Sequence, residues 1–163
     1  MHDLAAQVGV ALQAHGYLLT TAESCTGGAV SMAVTDIGGS SAWFERGFTT
    51  YSNEAKQEML GVAHATLVNH GAVSEAVVRE MVSGALRHSH AHVALAVSGI
   101  AGPGGGTADK PVGMVWFAWG IKDGLCTTRM HQLSGSRAEI RRQSVHIALQ
   151  GVLELLRGVS QLA

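Results

Sequence analysis

Three short segments of strand-forming residues in this chain are each followed at once by polar or glycine residues, and this repeated pattern restricts the folds available to it. The segments are residues 17–21, 43–51 and 92–97, and their β-branched, aromatic and aliphatic residues are typical of strands. Residues 92–97 are apolar without alternation, which predicts a strand buried on both faces. Polar turns behind buried strands are typical of an open α/β sheet, where ligands bind at the carboxyl ends of the strands.

Helical patterns lie between these strand segments. Apolar residues at helical spacing near the start predict an amphipathic helix that ends near Gly16. Further helices are predicted for residues 29–34, 53–60, 75–88 and 136–156, with Ser74 directly before the third of them. Residues 112–120 and 125–133 are predicted to form a hairpin, because Asp123-Gly124 lies between two apolar runs. The alternation predicts one domain, residues 1–163, with a three-layer α/β/α fold around a mixed sheet.

Composition and charge narrow the function classes. Hydrophobic residues make up 47% of the 163 residues and charged residues 14%, which is enough apolar material for a buried core. A net charge of −1 argues against a general affinity for nucleic acid or anionic membrane. No segment resembles a signal peptide or a membrane helix, and Cys25 and Cys126 form neither a metal pair nor a disulfide framework. We expect a cytoplasmic protein without nucleic-acid or membrane partners.

The first polar turn, residues 21–28, brings hydroxyl groups and two glycines between a strand and a helix. Ser24 and Thr26 are expected beside free backbone N–H groups at the helix N-terminus, where oxyanions and phosphates bind. The segment alone does not distinguish a nucleophilic Ser24 from a helix N-cap. It also does not decide between Ser24 and the intrinsically more nucleophilic thiol of Cys25.

The second polar turn, residues 51–56, also lies between a strand and a helix. Lys56 falls in the first helical turn, where the helix dipole disfavours a cation and lowers the pKa of the amine. A neutral lysine can act as the general base for a serine nucleophile. The alternative is a solvated surface lysine.

The third polar turn, residues 98–106, is rich in glycine and follows the buried strand. Successive N–H groups in such a loop can form a concave nest for an anion. No Gly-Lys-Ser/Thr follows, so the loop does not match a Walker A motif. A flexible loop is the alternative, although Pro103 and Pro111 favour a defined shape.

His88, His90 and His92 alternate along the chain, as metal ligands sometimes do. They span a predicted helix end and a strand start, where this spacing gives no common face. We therefore expect no metal site at these residues, and nothing else in the sequence indicates a cofactor.

Six motifs, in order along nearly the whole chain, resemble the C-terminal domain of the CinA (competence/damage-inducible) proteins. They are Ala22-Glu23-Ser24-Cys25-Thr26-Gly27-Gly28, Gly39-Ser40-Ser41-Ala42-Trp43-Phe44-Glu45-Arg46-Gly47, Tyr51-Ser52-Asn53-Glu54-Ala55-Lys56, His70-Gly71-Ala72-Val73-Ser74, Ser98-Gly99-Ile100-Ala101-Gly102-Pro103 and Lys110-Pro111-Val112-Gly113. Stand-alone bacterial members of this family are nicotinamide-nucleotide amidohydrolases.

The resemblance implies an activity and a catalytic pair. The activity is hydrolysis of nicotinamide mononucleotide to nicotinic acid mononucleotide and ammonia, a salvage step of NAD metabolism. By motif, Ser24 is the implied nucleophile and Lys56 the implied base, with Tyr51 beside them. The resemblance also implies that the protein is a homo-oligomer and uses no metal or other cofactor.

Substrate-binding residues are expected along all three polar turns and in the last helix. The set is Glu23, Thr26, Gly27, Gly28, Asn53, Ser98, Gly99, Gly102, Gly104, Gly105 and Arg142. Ser98 stands where the family often has threonine. Either Arg141 or Arg142 is expected to bind the phosphate, and N–H groups near residues 26–28 or 98–99 to bind the oxyanion. The alternative function is a non-catalytic nucleotide-binding regulatory module linked to competence or DNA damage.

Overall fold

The segments predicted as strands form one five-stranded sheet in the computed structural model. The structure describes residues 1–160, and for Ser160 it describes the backbone only. In chain order the elements are α1 (His2–His15), β1 (Leu19–Glu23), α2 (Ala29–Thr35), a 3₁₀ turn (Ser40–Ala42), β2 (Phe44–Thr49), α3 (Asn53–Leu60), α4 (His64–His70), α5 (Glu75–Arg87), β3 (Val93–Gly99), β4 (Met114–Ile121), β5 (Cys126–Gln132) and α6 (Arg137–Ser160).

The sheet is mixed, as the sequence predicts. Its strand order is β2-β1-β3-β4-β5. β1 pairs in parallel with β2 and β3, whereas β4 runs antiparallel to both β3 and β5. The predicted hairpin between β4 and β5 is confirmed, and Asp123 in its turn has a φ of 57°, a left-handed conformation that aspartate tolerates in turns.

Two apolar layers cover the two faces of the sheet, which confirms the α/β/α architecture. On one face α1, α2 and α6 pack against alternate residues of β3, namely Val93, Leu95 and Val97. On the other face α5 packs against the small residues Ala94 and Ala96. Both faces of β3 are buried, as the continuous apolar run predicts.

Several element boundaries differ from the expected ones. β1 begins at Leu19 because Tyr17 leaves the sheet and stacks on His15 and His92. β2 is shorter than residues 43–51, because its ladder with β1 ends at Thr49. α4 is not predicted from the sequence, because this seven-residue helix buries only Leu67 and so has no detectable periodicity.

The last helix, α6, continues to Ser160, beyond the predicted end at residue 156. Its apolar side packs into the core beneath the sheet, with Ile140, Leu149 and Val152 almost completely buried. Among the helices of residues 1–160, none is long and apolar enough to cross a membrane.

Candidate active site

A cleft of about 220 Å³ opens where the carboxyl ends of three parallel strands meet. Ser24 directly follows β1, Tyr51 follows β2 after one intervening residue, and Ser98 and Gly99 end β3. All four residues line this cleft. The three polar turns of the sequence therefore converge on one site, because parallel strands end at the same edge of the sheet.

Ser24 and Lys56 are in direct contact inside this cleft. Lys56 Nζ lies 2.9 Å from Ser24 Oγ, 2.8 Å from the carbonyl oxygen of Thr50 and 3.2 Å from that of Tyr51. The Ser24 backbone is fixed as well, since its N–H donates to Val97 O at 3.0 Å and continues the pairing of β1 with β3. The two side chains thus belong to one buried hydrogen-bonded group.

The burial of Lys56 follows from the way α3 begins. The hydroxyl of Ser52 accepts a hydrogen bond from the N–H of Ala55 and caps the helix. Lys56, four residues after the cap, is only 1% exposed. Its amine therefore reaches the ends of β1 and β2 instead of solvent.

Burial also explains the electrostatics of this lysine. Desolvation disfavours the ammonium form and lowers the pKa of Lys56 from 10.5 to about 8. The hydrogen-bond partners of Nζ are a hydroxyl and two carbonyl oxygens, and none of them carries a compensating negative charge. From the sequence, a lowered pKa is expected of the helix dipole, whereas the structure identifies desolvation as the main cause.

Cys25 has a different environment from its neighbour Ser24. It contributes to the lining of the cleft, but its side chain is buried and desolvation raises the pKa of the thiol to about 11. The thiolate is the nucleophilic form of cysteine, and it is scarce at neutral pH when the pKa is so high. The structure therefore favours Ser24 over Cys25 as a nucleophile.

Neither Ser24 nor Thr26 is the N-cap of α2, which was the alternative role for these two residues. The residue at the cap position is Gly28, and no side chain at that position caps the helix. The Glu23 carboxylate instead accepts hydrogen bonds from the N–H of Val30 and from the N–H and hydroxyl of Ser31. Glu23 thus holds the start of α2, and both of its oxygens are occupied there rather than in the cleft.

Arg137, which is not among the binding residues expected from the sequence, lies at the cleft. Its guanidinium donates to the carbonyl oxygen of Gly102 at 2.8 Å and to the phenol oxygen of Tyr51 at 3.1 Å. The signal in the sequence was weak, because Arg137, Arg141 and Arg142 all fall near the start of one helix. Only the orientation of α6 decides which of them reaches the cleft.

The arginines chosen from the sequence occupy other positions. Arg141 donates to the carbonyl oxygens of Cys25 and Thr26 at 3.1 and 3.0 Å, so it supports the turn that carries Ser24. Arg142 lies along a second depression, between α2 and α6, and so do Gly27 and Gly28. The structure therefore does not bring Arg142, Gly27 or Gly28 to the cleft that holds Ser24 and Lys56.

The other predicted binding residues lie in three places: the cleft, the protein interior and the surface. Asn53, Ser98 and Gly99 line the cleft, and the hydroxyl of Ser98 donates to Ala72 O at 2.8 Å. Thr26 is completely buried, and its hydroxyl has no hydrogen-bond partner among the described residues. Gly102 reaches the cleft only through its bond with Arg137, and Gly104 and Gly105 lie on the exposed loop beyond it.

The three alternating histidines form no cluster. His92 Nδ1 accepts a hydrogen bond from the N–H of Leu18, and the ring stacks on Tyr17. Within residues 1–160 there is no group of three or more histidine, cysteine, aspartate or glutamate side chains that could hold a metal ion.

The fold and the cleft together define a three-layer α/β/α protein with a buried serine–lysine pair at its strand ends. The family model for the CinA C-terminal domain matches residues 1–156. This chain belongs to that family.

The sequence similarity to named relatives extends over most of this chain. The chain is 58% identical over 148 residues to the nicotinamide-nucleotide amidohydrolase PncC of Escherichia coli K12, covering 91% of this chain and 90% of the relative. It is 55% identical over 153 residues to PncC of Enterobacter agglomerans, with coverage of 94% and 93%. The crystal structure of the competence/damage-inducible protein CihA from Agrobacterium tumefaciens matches with a TM-score of 0.92 at 45% identity, covering 94% of each chain.

Proposed function

We propose that this chain is an amidohydrolase that hydrolyses the carboxamide of nicotinamide mononucleotide, with Ser24 as nucleophile and Lys56 as general base. The observation that carries the proposal is the 2.9 Å contact between Lys56 Nζ and Ser24 Oγ in a cleft at the strand ends. A serine in contact with a lysine of lowered pKa has the arrangement that nucleophilic amide hydrolysis requires. The names of the relatives at 55% and 58% identity support the choice of substrate.

The partners of Lys56 explain how its lone pair is aimed at Ser24. A neutral amine carries two N–H bonds and one lone pair. The carbonyl oxygens of Thr50 and Tyr51 accept two N–H bonds, so the lone pair is left to accept the proton of the Ser24 hydroxyl. The low pKa makes this neutral form accessible near pH 7.

The proposed reaction has two chemical steps. Ser24 Oγ attacks the carboxamide carbon while Lys56 takes the hydroxyl proton. The Lys56 ammonium then gives that proton to the amide nitrogen, and the C–N bond breaks to release ammonia and leave an acyl-serine ester. Water next attacks the acyl-serine ester with Lys56 again as base, which releases the carboxylate and restores the Ser24 hydroxyl. The backbone N–H of Cys25 is the proposed oxyanion donor, because Cys25 lines the cleft beside the nucleophile and its N–H donates to no other residue among the described hydrogen bonds.

Arg137 is the proposed ligand of the substrate phosphate. Its bonds to Gly102 and Tyr51 hold the guanidinium at the cleft, and its further donors are suited to a phosphate. This replaces Arg142, whose position in the second depression is separate from the reacting groups. The exposed loop with Gly104 and Gly105 follows Gly102 in the chain, and its backbone N–H groups are further proposed donors to the phosphate.

Ammonia release from nicotinamide mononucleotide tests the proposal. We expect Ser24→Ala to lower kcat by about 10³-fold or more, as is typical when the nucleophile of such a unit is removed. Cys126→Ser is the matched control, since Cys126 lies on the edge strand β5, and its rate should be unchanged. A folded Ser24→Ala protein with the rate of the unaltered chain refutes the mechanism. Nucleotide binding without any ammonia release favours the non-catalytic regulatory module.

Two further expectations stay predictions. A homo-oligomer is implied by the family resemblance, and light scattering of the purified protein measures it. A cytoplasmic location agrees with two cysteines that are free in the described structure, and cell fractionation tests it.

A further inference from the structure

The ring of Tyr51 is an exposed aromatic surface at the cleft, and it is fixed at both ends. The residue is 60% exposed, which is unusual for a large aromatic side chain. Its backbone carbonyl accepts a hydrogen bond from Lys56, and its phenol oxygen accepts one from Arg137. A ring held at its backbone and at its hydroxyl is ordered before any ligand binds.

The charges around the cleft are one-sided. Its lining includes the cationic side chains Lys56 and Arg137 and contains no aspartate or glutamate. Glu23 is near in sequence, but its oxygens are bonded to α2. A ligand ring that carries a positive charge therefore meets no carboxylate here. The negative face of the aromatic quadrupole of Tyr51 offers such a ring an attractive partner of matching flat shape.

The face of Tyr51 is also free of protein cations. Arg137 donates to the phenol oxygen, which places the guanidinium beyond the edge of the ring. Among the described residues, the guanidinium that does lie over a ring is that of Arg129, 5.8 Å from the centroid of Trp119. The ring of Tyr51 can therefore receive a flat cation from solvent.

We infer that the face of Tyr51 binds the positively charged pyridinium ring of the substrate and makes the site prefer a cationic ring over an uncharged ring of the same shape. This inference rests on the proposed function, which supplies the pyridinium. Tyr51 then has two separate roles, one for each part of the side chain: the hydroxyl positions Arg137, and the ring face selects the charge of the substrate ring.

Binding measurements on a Ser24→Ala background separate these two roles. The probes are nicotinamide mononucleotide and benzamide riboside 5′-monophosphate, in which an uncharged benzamide ring replaces the pyridinium. Calorimetric titration gives Kd for both, with Tyr51 intact, with Tyr51→Phe and with Tyr51→Leu. The measured quantity is the preference, defined as Kd of the neutral probe divided by Kd of the cationic one.

We expect the preference to fall about 5- to 30-fold in Tyr51→Leu and to stay within about twofold in Tyr51→Phe, because phenylalanine keeps the π face. An equal loss of preference in both variants, or no loss in Tyr51→Leu, overturns the inference. If Tyr51→Leu does not fold, a preference of one or less with Tyr51 intact overturns it instead. Ammonia release from nicotinamide mononucleotide is measured separately with the unaltered chain. A lack of ammonia release contradicts the proposed function, whereas the binding preference tests the role of the Tyr51 ring.

Discussion

The pH dependence of turnover is the most direct test of Lys56, because its magnitude follows from burial of the amine. Burial lowers the pKa of Lys56 from 10.5 to about 8. At pH 7 a lysine with a pKa of about 8 is neutral in roughly one molecule in ten, whereas with a pKa of 10.5 it is neutral in roughly one in three thousand. Desolvation therefore raises the population of the reactive form about 300-fold at pH 7.

The assay is kcat/KM for ammonia release between pH 6.5 and 9.5, above the ionisation of a nucleotide phosphate near pH 6. We expect kcat/KM to rise about 30-fold over this range, with most of the increase below pH 8.5 and a plateau above it. The rise reflects loss of the Lys56 proton, since only the neutral amine can accept the proton of Ser24.

Lys56→Met should abolish both the activity and this ionisation, with a loss of about 10³-fold or more in kcat. The matched control is Lys122→Met, because Lys122 is an exposed lysine in the turn between β4 and β5 and should leave the profile unchanged. A flat profile in the unaltered chain, or residual Lys56→Met activity with the same apparent pKa, refutes the assignment of Lys56 as base.

Three further predictions concern the surroundings of this pair. Cys25→Ala should release ammonia at a rate within about tenfold of the unaltered chain, because the thiol is held protonated and is not the nucleophile. A complete loss of ammonia release in a folded variant would implicate the thiol in the reaction. Glu23→Gln should lower the free energy of unfolding by about 1–3 kcal/mol in urea denaturation, because an amide cannot accept all the bonds from Val30 and Ser31; an unchanged midpoint would contradict this role. The unaltered chain should gain about 1 kcal/mol of stability per pH unit relative to Lys56→Met between pH 8 and 10, because over that range the unfolded lysine keeps most of its proton while the folded one loses it. Equal pH slopes of the two proteins would show that the folded pKa is not lowered.

Local patterns were sufficient to predict most of the fold. The continuous apolar run before Ser98 predicted a strand buried on both faces, and β3 is one. The Asp123-Gly124 pair predicted the hairpin of β4 and β5. Such features depend on residues that are close together in the chain, so they can be predicted without knowledge of the tertiary structure. The helix α4 was missed because seven residues with one buried side chain give no periodic signal.

The sequence by itself determined that a hydroxyl, a lysine and a glycine-rich turn each follow a strand, and the family motifs named the pair of Ser24 and Lys56. Only the tertiary structure decided the contacts among them. It showed that Lys56 is buried, that Glu23 is turned toward α2 and that Arg137 rather than Arg142 reaches the cleft. The physical reason is that burial and orientation depend on elements far apart in the chain. The start of α6 meets Tyr51 across 86 residues of sequence, and no local pattern encodes that distance.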